Sequence, residues 1–291
     1  MSTCNTIGFG CVGLSAQPSE RNALQLLATA FNEGVNHFDT APLYGKGYSE
    51  KILGKFIKDR RHEVVIATKF GLSGTTGSNI PAWLALPLNQ LKKKIKKKPS
   101  VRSAFQVPGI LSYRKIDLSA VRDSFEKSLR NLQTDHIDYY LLHEALPSFL
   151  TDEAMKYITE LKQKGIVKKI GVAASHTNFT NGISDNFANW DVLQYENSLL
   201  HPSDNLLEVY PDKMHFYHSV LKPLQYKKIT GDLKNELPGI LLARAQKINP
   251  YGSILFSTSK PGNIKTNFKN LDLYCKYSLT ELDNILSNAI H

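Results

Sequence analysis

Cysteine is scarce in this chain of 291 residues: Cys4, Cys11 and Cys275 are an odd set with no CxxC spacing and no histidines arranged around them. That argues against a disulfide framework and a zinc site. No run is apolar and long enough to span a bilayer. The opening Met1-Ser2-Thr3-Cys4 lacks the basic start, apolar stretch and small-residue cleavage site of a secretory leader. The reading therefore expects a soluble cytoplasmic protein without a membrane partner. Acidic residues are missing from one place in particular. Between Leu72 and Ile116 there are nine Lys or Arg and no Asp or Glu, which leaves a balance of +1 for all other residues out of a net charge of +10. The excess charge is thus a local feature, and the remainder is balanced as in an ordinary soluble enzyme.

Hydrophobic residues make up 42% and charged residues 21%, which is globular composition with ample material for a large core. Short β-branched or aromatic runs alternate with stretches of helical period, the signature of βαβ units around a parallel sheet. Strands are expected at Ile7–Leu14, Val35–Ala41, Val64–Phe70, Ile137–His143, Lys169–Ala174, Val192–Asn197, His215–Leu221 and Ser253–Ser257. Helices are expected within Ser19–Gly34 and at Ser49–Asp59, Leu118–Leu132, Asp152–Lys164, Thr177–Phe187, Leu237–Lys247 and Gly262–Asn270. A weak helix is expected between strands six and seven, and a final amphipathic segment, Leu279–Ala289, outside the sheet. Eight such units in one chain match a (β/α)8 TIM barrel, read here as a single domain over 1–291, better than a Rossmann sheet. Gly8-Phe9-Gly10-Cys11-Val12-Gly13 has GxGxxG spacing, but its glycines lie in or beside the first strand rather than opening a helix. It is read as glycine near the bottom of a barrel strand. Leu72–Ile116 is too long for an ordinary βα loop, and Pro81, Pro87, Pro99 and Pro108 exclude one continuous helix. It is expected to form a basic insertion that acts as a substrate flap over the barrel rim.

Reactive groups of a TIM barrel sit at the C-terminal ends of its strands. Strand two ends Asp39-Thr40-Ala41-Pro42-Leu43-Tyr44-Gly45, strand three Ala67-Thr68-Lys69-Phe70-Gly71, and strand four Tyr140-Leu141-Leu142-His143. A carbonyl that receives hydride becomes an alkoxide and needs a proton donor, the role open to Tyr44. A free phenol titrates near pH ~10; an ammonium such as Lys69 lowers that value. Asp39 is the counter-charge that lets the ammonium be buried, and His143 can hydrogen-bond the carbonyl oxygen.

These segments resemble the catalytic signatures of the aldo-keto reductases, whose Asp, Tyr, Lys and His tetrad falls on Asp39, Tyr44, Lys69 and His143. The resemblance extends through Gly165–Ser175 and Gln194–Asn197 to the last strand and is absent mainly from Leu72–Ile116. It implies an NAD(P)-dependent oxidoreductase that reduces an aldehyde or ketone, or runs the reverse oxidation, on a small-molecule carbonyl or alcohol. It also implies a nicotinamide carboxamide site at Ser175, His176 and Gln194, where His176 replaces the usual Asn. The stacking position after strand seven is His218-Ser219 in place of an aromatic residue and Ser, and a histidine offers less apolar area. Ser257, Thr258, Lys260, Asn263 and Asn267 fall in the segment that holds the adenosine phosphate, with Pro261 at a helix start that suits a phosphate. Many NADPH-dependent members carry Arg where this chain has Asn263, and a lost guanidinium weakens recognition of a 2′-phosphate. Lys260 is placed to compensate. The resemblance implies NADP as cofactor, with NAD open as well, and no metal. Two other functions stay open at this point: a non-catalytic NADP-binding barrel that regulates a partner protein, and a polyanion-binding module built on the basic insertion. Nucleic acid is not the expected partner; an acidic protein could bind through Lys92–Lys98.

Overall fold

The computed structural model describes residues 7–72, 115–175, 179 and 187–291. Eight parallel strands close into a barrel in the order β1 to β8. In chain order the described elements are β1 (Ile7–Gly10), α1 (Glu20–Asn32), β2 (His37–Asp39), α2 (Tyr48–Ile57), β3 (Val65–Phe70), α3 (Leu118–Leu132), β4 (Ile137–His143), α4 (Asp152–Gln163) and β5 (Val167–Ala174). They continue with β6 (Val192–Glu196), α5 (Asn205–Val209), β7 (Met214–His218), α6 (Pro223–Tyr226), α7 (Leu237–Ile248), β8 (Ser253–Phe256), α8 (Pro261–Tyr274) and α9 (Leu279–Ala289).

Local chemistry starts the helices where the sequence suggests. Ser19 accepts from the Asn22 amide, Asp117 from Ala120 and Thr151 from Ala154, while Ser278 and Glu281 form a reciprocal capping box. Each such cap contributes about 0.5–2 kcal/mol by satisfying an orphan N–H. Among the described residues no helix is long and apolar enough to cross a membrane, and no group of three or more His, Cys, Asp or Glu is placed to hold a metal.

Several expected boundaries change. The first strand ends at Gly10, and Cys11–Ala16 form a 3-10 helix instead. Its buried residues, Cys11 and Leu14, are three apart, the spacing that one 3-10 turn places on one side; an unbroken apolar run hides that switch of period. Gly10 therefore lies at the C-terminal end of its strand rather than near the bottom, and Gly13 lies in the 3-10 helix. A Cβ on Gly10 would meet the Ser257 hydroxyl, so a larger residue there would displace that side chain. Strand seven stops at His218 because Ser219 turns left-handed, at φ 61°. Strand two shrinks to His37–Asp39, and α6 is a short helix that the sequence pattern does not announce. The expected helix Thr177–Phe187 and the insertion Leu72–Ile116 lie almost wholly outside the described residues.

Side-chain alternation divides the barrel into an outer layer, packed under the helices, and an inner filling. Ala67, Leu141, Ala173, Val192 and Phe216 form the inner cluster. Beside them His37 packs on Tyr139 and Phe216 and hydrogen-bonds the Ser253 hydroxyl at 2.8 Å. Burial pushes the His37 pKa down to about 4. A folded pKa below the unfolded value means that the unfolded chain binds the proton more readily, so the stabilisation is whole above about 6.5 and drains away as pH falls toward 4. Each unit of that shift corresponds to about 1.4 kcal/mol. Urea titrations should show stability falling between pH 7 and 5, above the range of ordinary carboxylates, and His37→Phe should flatten the slope. An equal slope in both proteins would contradict the assignment to His37.

Candidate active site

One layer above that inner cluster, moving two residues along each strand, stand the inward positions at the C-terminal rim. Asp39 follows His37, Lys69 follows Ala67, His143 follows Leu141, Ser175 follows Ala173, Gln194 follows Val192 and His218 follows Phe216. Asp39, Lys69 and His143 converge because each stands at the end of one of three adjacent strands. These ends are staggered by two residues from one strand to the next, so that Asp39 pairs with Ala67 and Lys69 with Leu141. Tyr44 is delivered by the turn after β2.

Lys69 is 2% exposed. Its ammonium donates to Asp39 Oδ1 at 2.6 Å and to the Thr40 carbonyl at 3.0 Å, and the Tyr44 side chain lies beside it. Burial pulls the Lys69 pKa down, but Asp39, Tyr44 and their hydrogen bonds more than offset it, and the amine stays charged above its ordinary range. The ammonium lies 5.2 Å from the Tyr44 ring centroid, and the His143 ring stands edge-on to Tyr44 at 6.1 Å.

For Tyr44 the balance differs from the sequence expectation. Burial raises its pKa and Asp39 adds to the rise; Lys69 opposes them without winning, so the phenol lies above its ordinary value. The group is a protonated acid beside the Lys69 ammonium. His143 is held well below the usual imidazole range by burial, then by Lys69 and His218. It is a neutral ring able to donate one hydrogen bond.

The turn carrying Tyr44 is fixed from behind. Gly45, Lys46 and Gly47 are all left-handed, with φ of 59°, 57° and 89°. Glu50, fully buried on α2, accepts from Thr68 at 2.8 Å, Ser128 at 2.7 Å and Asn131 at 2.9 Å. One carboxylate thus ties α2 to β3, beside Lys69, and to α3. Nothing in the sequence pattern separates Glu50 from an exposed first-turn glutamate.

Around the other half of the rim, Gln194 is buried and its Oε1 has no partner among the described residues. An orphan acceptor in that place fits an N–H donor such as a carboxamide. The His218 ring is oriented by Ser219, whose hydroxyl lies 2.9 Å from Nδ1, and burial takes its pKa to about 4. His176 lies outside the described residues. Ser257 donates to the Gly10 carbonyl at 2.8 Å. Thr258 accepts from the Lys260 amide at 3.3 Å and from Asn263 Nδ2 at 3.2 Å, which gathers three candidate residues at the start of α8. That helix has no side-chain cap, so its first amides and dipole fit an anion. Asn267 is buried one turn further on, while Lys260 and Asn263 are exposed. Gln17, which the sequence reading omits, donates to the Ser259 carbonyl at 3.1 Å and pins this loop to the first 3-10 helix. These residues fit a nicotinamide dinucleotide.

The family model described as Aldo/keto reductase family matches residues 6–217. An uncharacterized oxidoreductase, YqkF, from Bacillus subtilis is 30% identical over 59% of this chain and 45% of its own length. An NADH-specific methylglyoxal reductase from Escherichia coli is 26% identical over 84% of this chain and 71% of its own length. The matched stretches span less than half the length of the first curated relatives. Among solved structures, the holo form of an aldo-keto reductase from Bacillus halodurans superposes with a TM-score of 0.65 at 20% identity, covering 95% of this chain and 91% of its own.

Proposed function

We propose that this chain, which belongs to the aldo/keto reductase family, reduces an aldehyde or ketone to an alcohol with a reduced nicotinamide dinucleotide, or runs the reverse oxidation, with Tyr44 as the proton donor. The observation that carries the reading is the buried Lys69 ammonium, held by Asp39 and the Thr40 carbonyl beside the Tyr44 ring. A free aldehyde or ketone has no charge to bind, so the site must place its oxygen by hydrogen bonds alone. Tyr44 and His143 supply two donors, from the turn after β2 and from the end of β4, with their rings 6.1 Å apart. As charge develops on the oxygen, the phenol gives up its proton, and the adjacent ammonium stabilises the phenolate left behind. In the oxidative direction the same phenolate takes the proton back. The bound nicotinamide would supply or accept the hydride. Ser175, His176 and Gln194 would hold its carboxamide, His218 and Ser219 its face, and Ser257, Thr258, Lys260, Asn263 and Asn267 the adenosine end.

NADP is the proposed cofactor on family grounds, with a small margin over NAD. The margin is small because Asn263, at the start of α8, offers no guanidinium and makes its bond to Thr258; Lys260 supplies the nearby positive charge. Absorbance loss at 340 nm with a panel of aldehydes tests both points. Both NADPH and NADH should be consumed, with a preference below about a thousandfold, roughly 4 kcal/mol. No turnover with any aldehyde or ketone, in either direction, overturns the proposal, and a larger preference overturns the cofactor reading.

A further inference from the structure

We infer that Glu144 is a positioning residue that stitches the end of β4 to the end of β5, and so sets the spacing between His143 and Ser175 across the mouth of the barrel. The inference rests on the proposed function in one respect: the spacing matters because His143 would hold the carbonyl oxygen and Ser175 the nicotinamide carboxamide.

Four non-glycine residues with left-handed backbone are found among the described residues: Lys46, Gln133, Glu144 and Ser219. Gln133 ends α3, where that conformation is the usual helix terminator. The other three lie at the rim, within two residues of Tyr44, His143 and His218. Left-handed positions favour glycine and, after it, asparagine. A glutamate is an unfavourable choice for the turn itself, which directs attention to its side chain. The Glu144 amide donates to the Ala173 carbonyl at 2.7 Å, extending the β4–β5 ladder by one residue past the pair His143 and Ala173. Its carboxylate then accepts from the Ser175 amide at 3.0 Å. Main chain and side chain of one residue together hold both strand ends. With φ at 53°, the side chain lies back across the ladder toward Ser175. A carboxylate that accepts an N–H makes the stronger class of hydrogen bond. Hydride transfer is sensitive to such spacing, since a misplacement of about 1 Å can lower a rate about a hundredfold.

The test is a series at this position: Glu144→Gln, Glu144→Ala and Glu144→Gly, each read for kcat, KM, NADPH dissociation constant by fluorescence, melting temperature and hydrogen exchange of the Ser175 amide. The two roles order the series differently. If Glu144 positions, turnover follows the acceptor: Gln stays within about twofold of the parent, while Ala and Gly lose about 10- to 100-fold in kcat, and NADPH binding weakens with them. Stability follows the backbone instead, and Gly melts above Ala because it relieves the left-handed strain. Ser175 exchanges faster in Ala and Gly but not in Gln. Turnover that tracks melting temperature, with Gly regaining what Ala lost, overturns the proposal. Unchanged exchange at Ser175 overturns it whatever the kinetics. A parent protein that neither binds NADPH nor reduces any aldehyde sinks the proposed function, and the positioning role with it. A working parent with an indifferent Ala variant sinks the positioning role alone.

Discussion

Tyr44→Phe is expected to lower kcat for carbonyl reduction by about 10²- to 10⁴-fold, the range supplied by a positioned general acid, while NADPH binds as before. The substitution removes one oxygen and keeps the ring that stands edge-on to His143. Lys69 retains both of its acceptors, Asp39 and the Thr40 carbonyl, so the fold should be little affected. The parent protein has a further signature. Because burial holds the Tyr44 phenol above its ordinary value despite Lys69, reduction should show no loss of protonated acid between pH 7 and 9. The measurement is steady-state kinetics of both proteins across that interval, beside a fluorescence titration of the dinucleotide. Turnover equal to the parent's would move the acid to another residue, and a marked loss of NADPH affinity would make the effect one of binding.

Asp39→Asn should act first on stability. It leaves the Lys69 ammonium, 2% exposed, with neutral acceptors only. Removing one partner of a buried pair destabilises by about 3–5 kcal/mol because the other charge stays uncompensated. A melting temperature lower by on the order of 10 °C is the corresponding shift for a chain of this size. Burial, the largest influence on Lys69, is then opposed by Tyr44 but no longer by a carboxylate, and the Lys69 pKa should fall below the ordinary lysine value instead of lying above it. Turnover in the variant should therefore decline with rising pH in a range where the parent is indifferent. A variant as stable as the parent would mean that the pair is not ionised. A pH profile parallel to the parent's would mean that Asp39 does not hold the charge on Lys69.

The parts of this molecule that can be read from sequence are those in which one chemical rule acts alone. Alternation by two carries Ala67 to Lys69 and Leu141 to His143, so strand ends and inward-facing residues emerge together. Caps such as Asp117 and Ser278 mark helix starts because they satisfy specific orphan amides. Cys11–Ala16 escaped because an apolar run is compatible with a strand and with a 3-10 turn. Glu50 and Glu144 escaped for a different reason. Each is an acidic residue at an unremarkable place, and its meaning lies in partners far away in sequence or in a backbone angle. The sign of the Tyr44 shift was also beyond reach, because it depends on how far burial outweighs one nearby charge.

The charged state of Lys69, held by Asp39 and the Thr40 carbonyl, has a consequence for what the barrel cannot do. Carbonyl compounds condense with amines to give imines, and enzymes that exploit this keep a lysine neutral in an apolar pocket. Here a lysine stands at the floor of a site proposed for aldehydes, yet its lone pair is occupied by a third N–H bond, held there by Asp39, Thr40 and Tyr44. It cannot act as a nucleophile. With Tyr44 as the proposed proton donor, the same arrangement would also protect the site from covalent capture by a carbonyl substrate, and a Schiff-base chemistry could arise on this scaffold only after Asp39 had been lost.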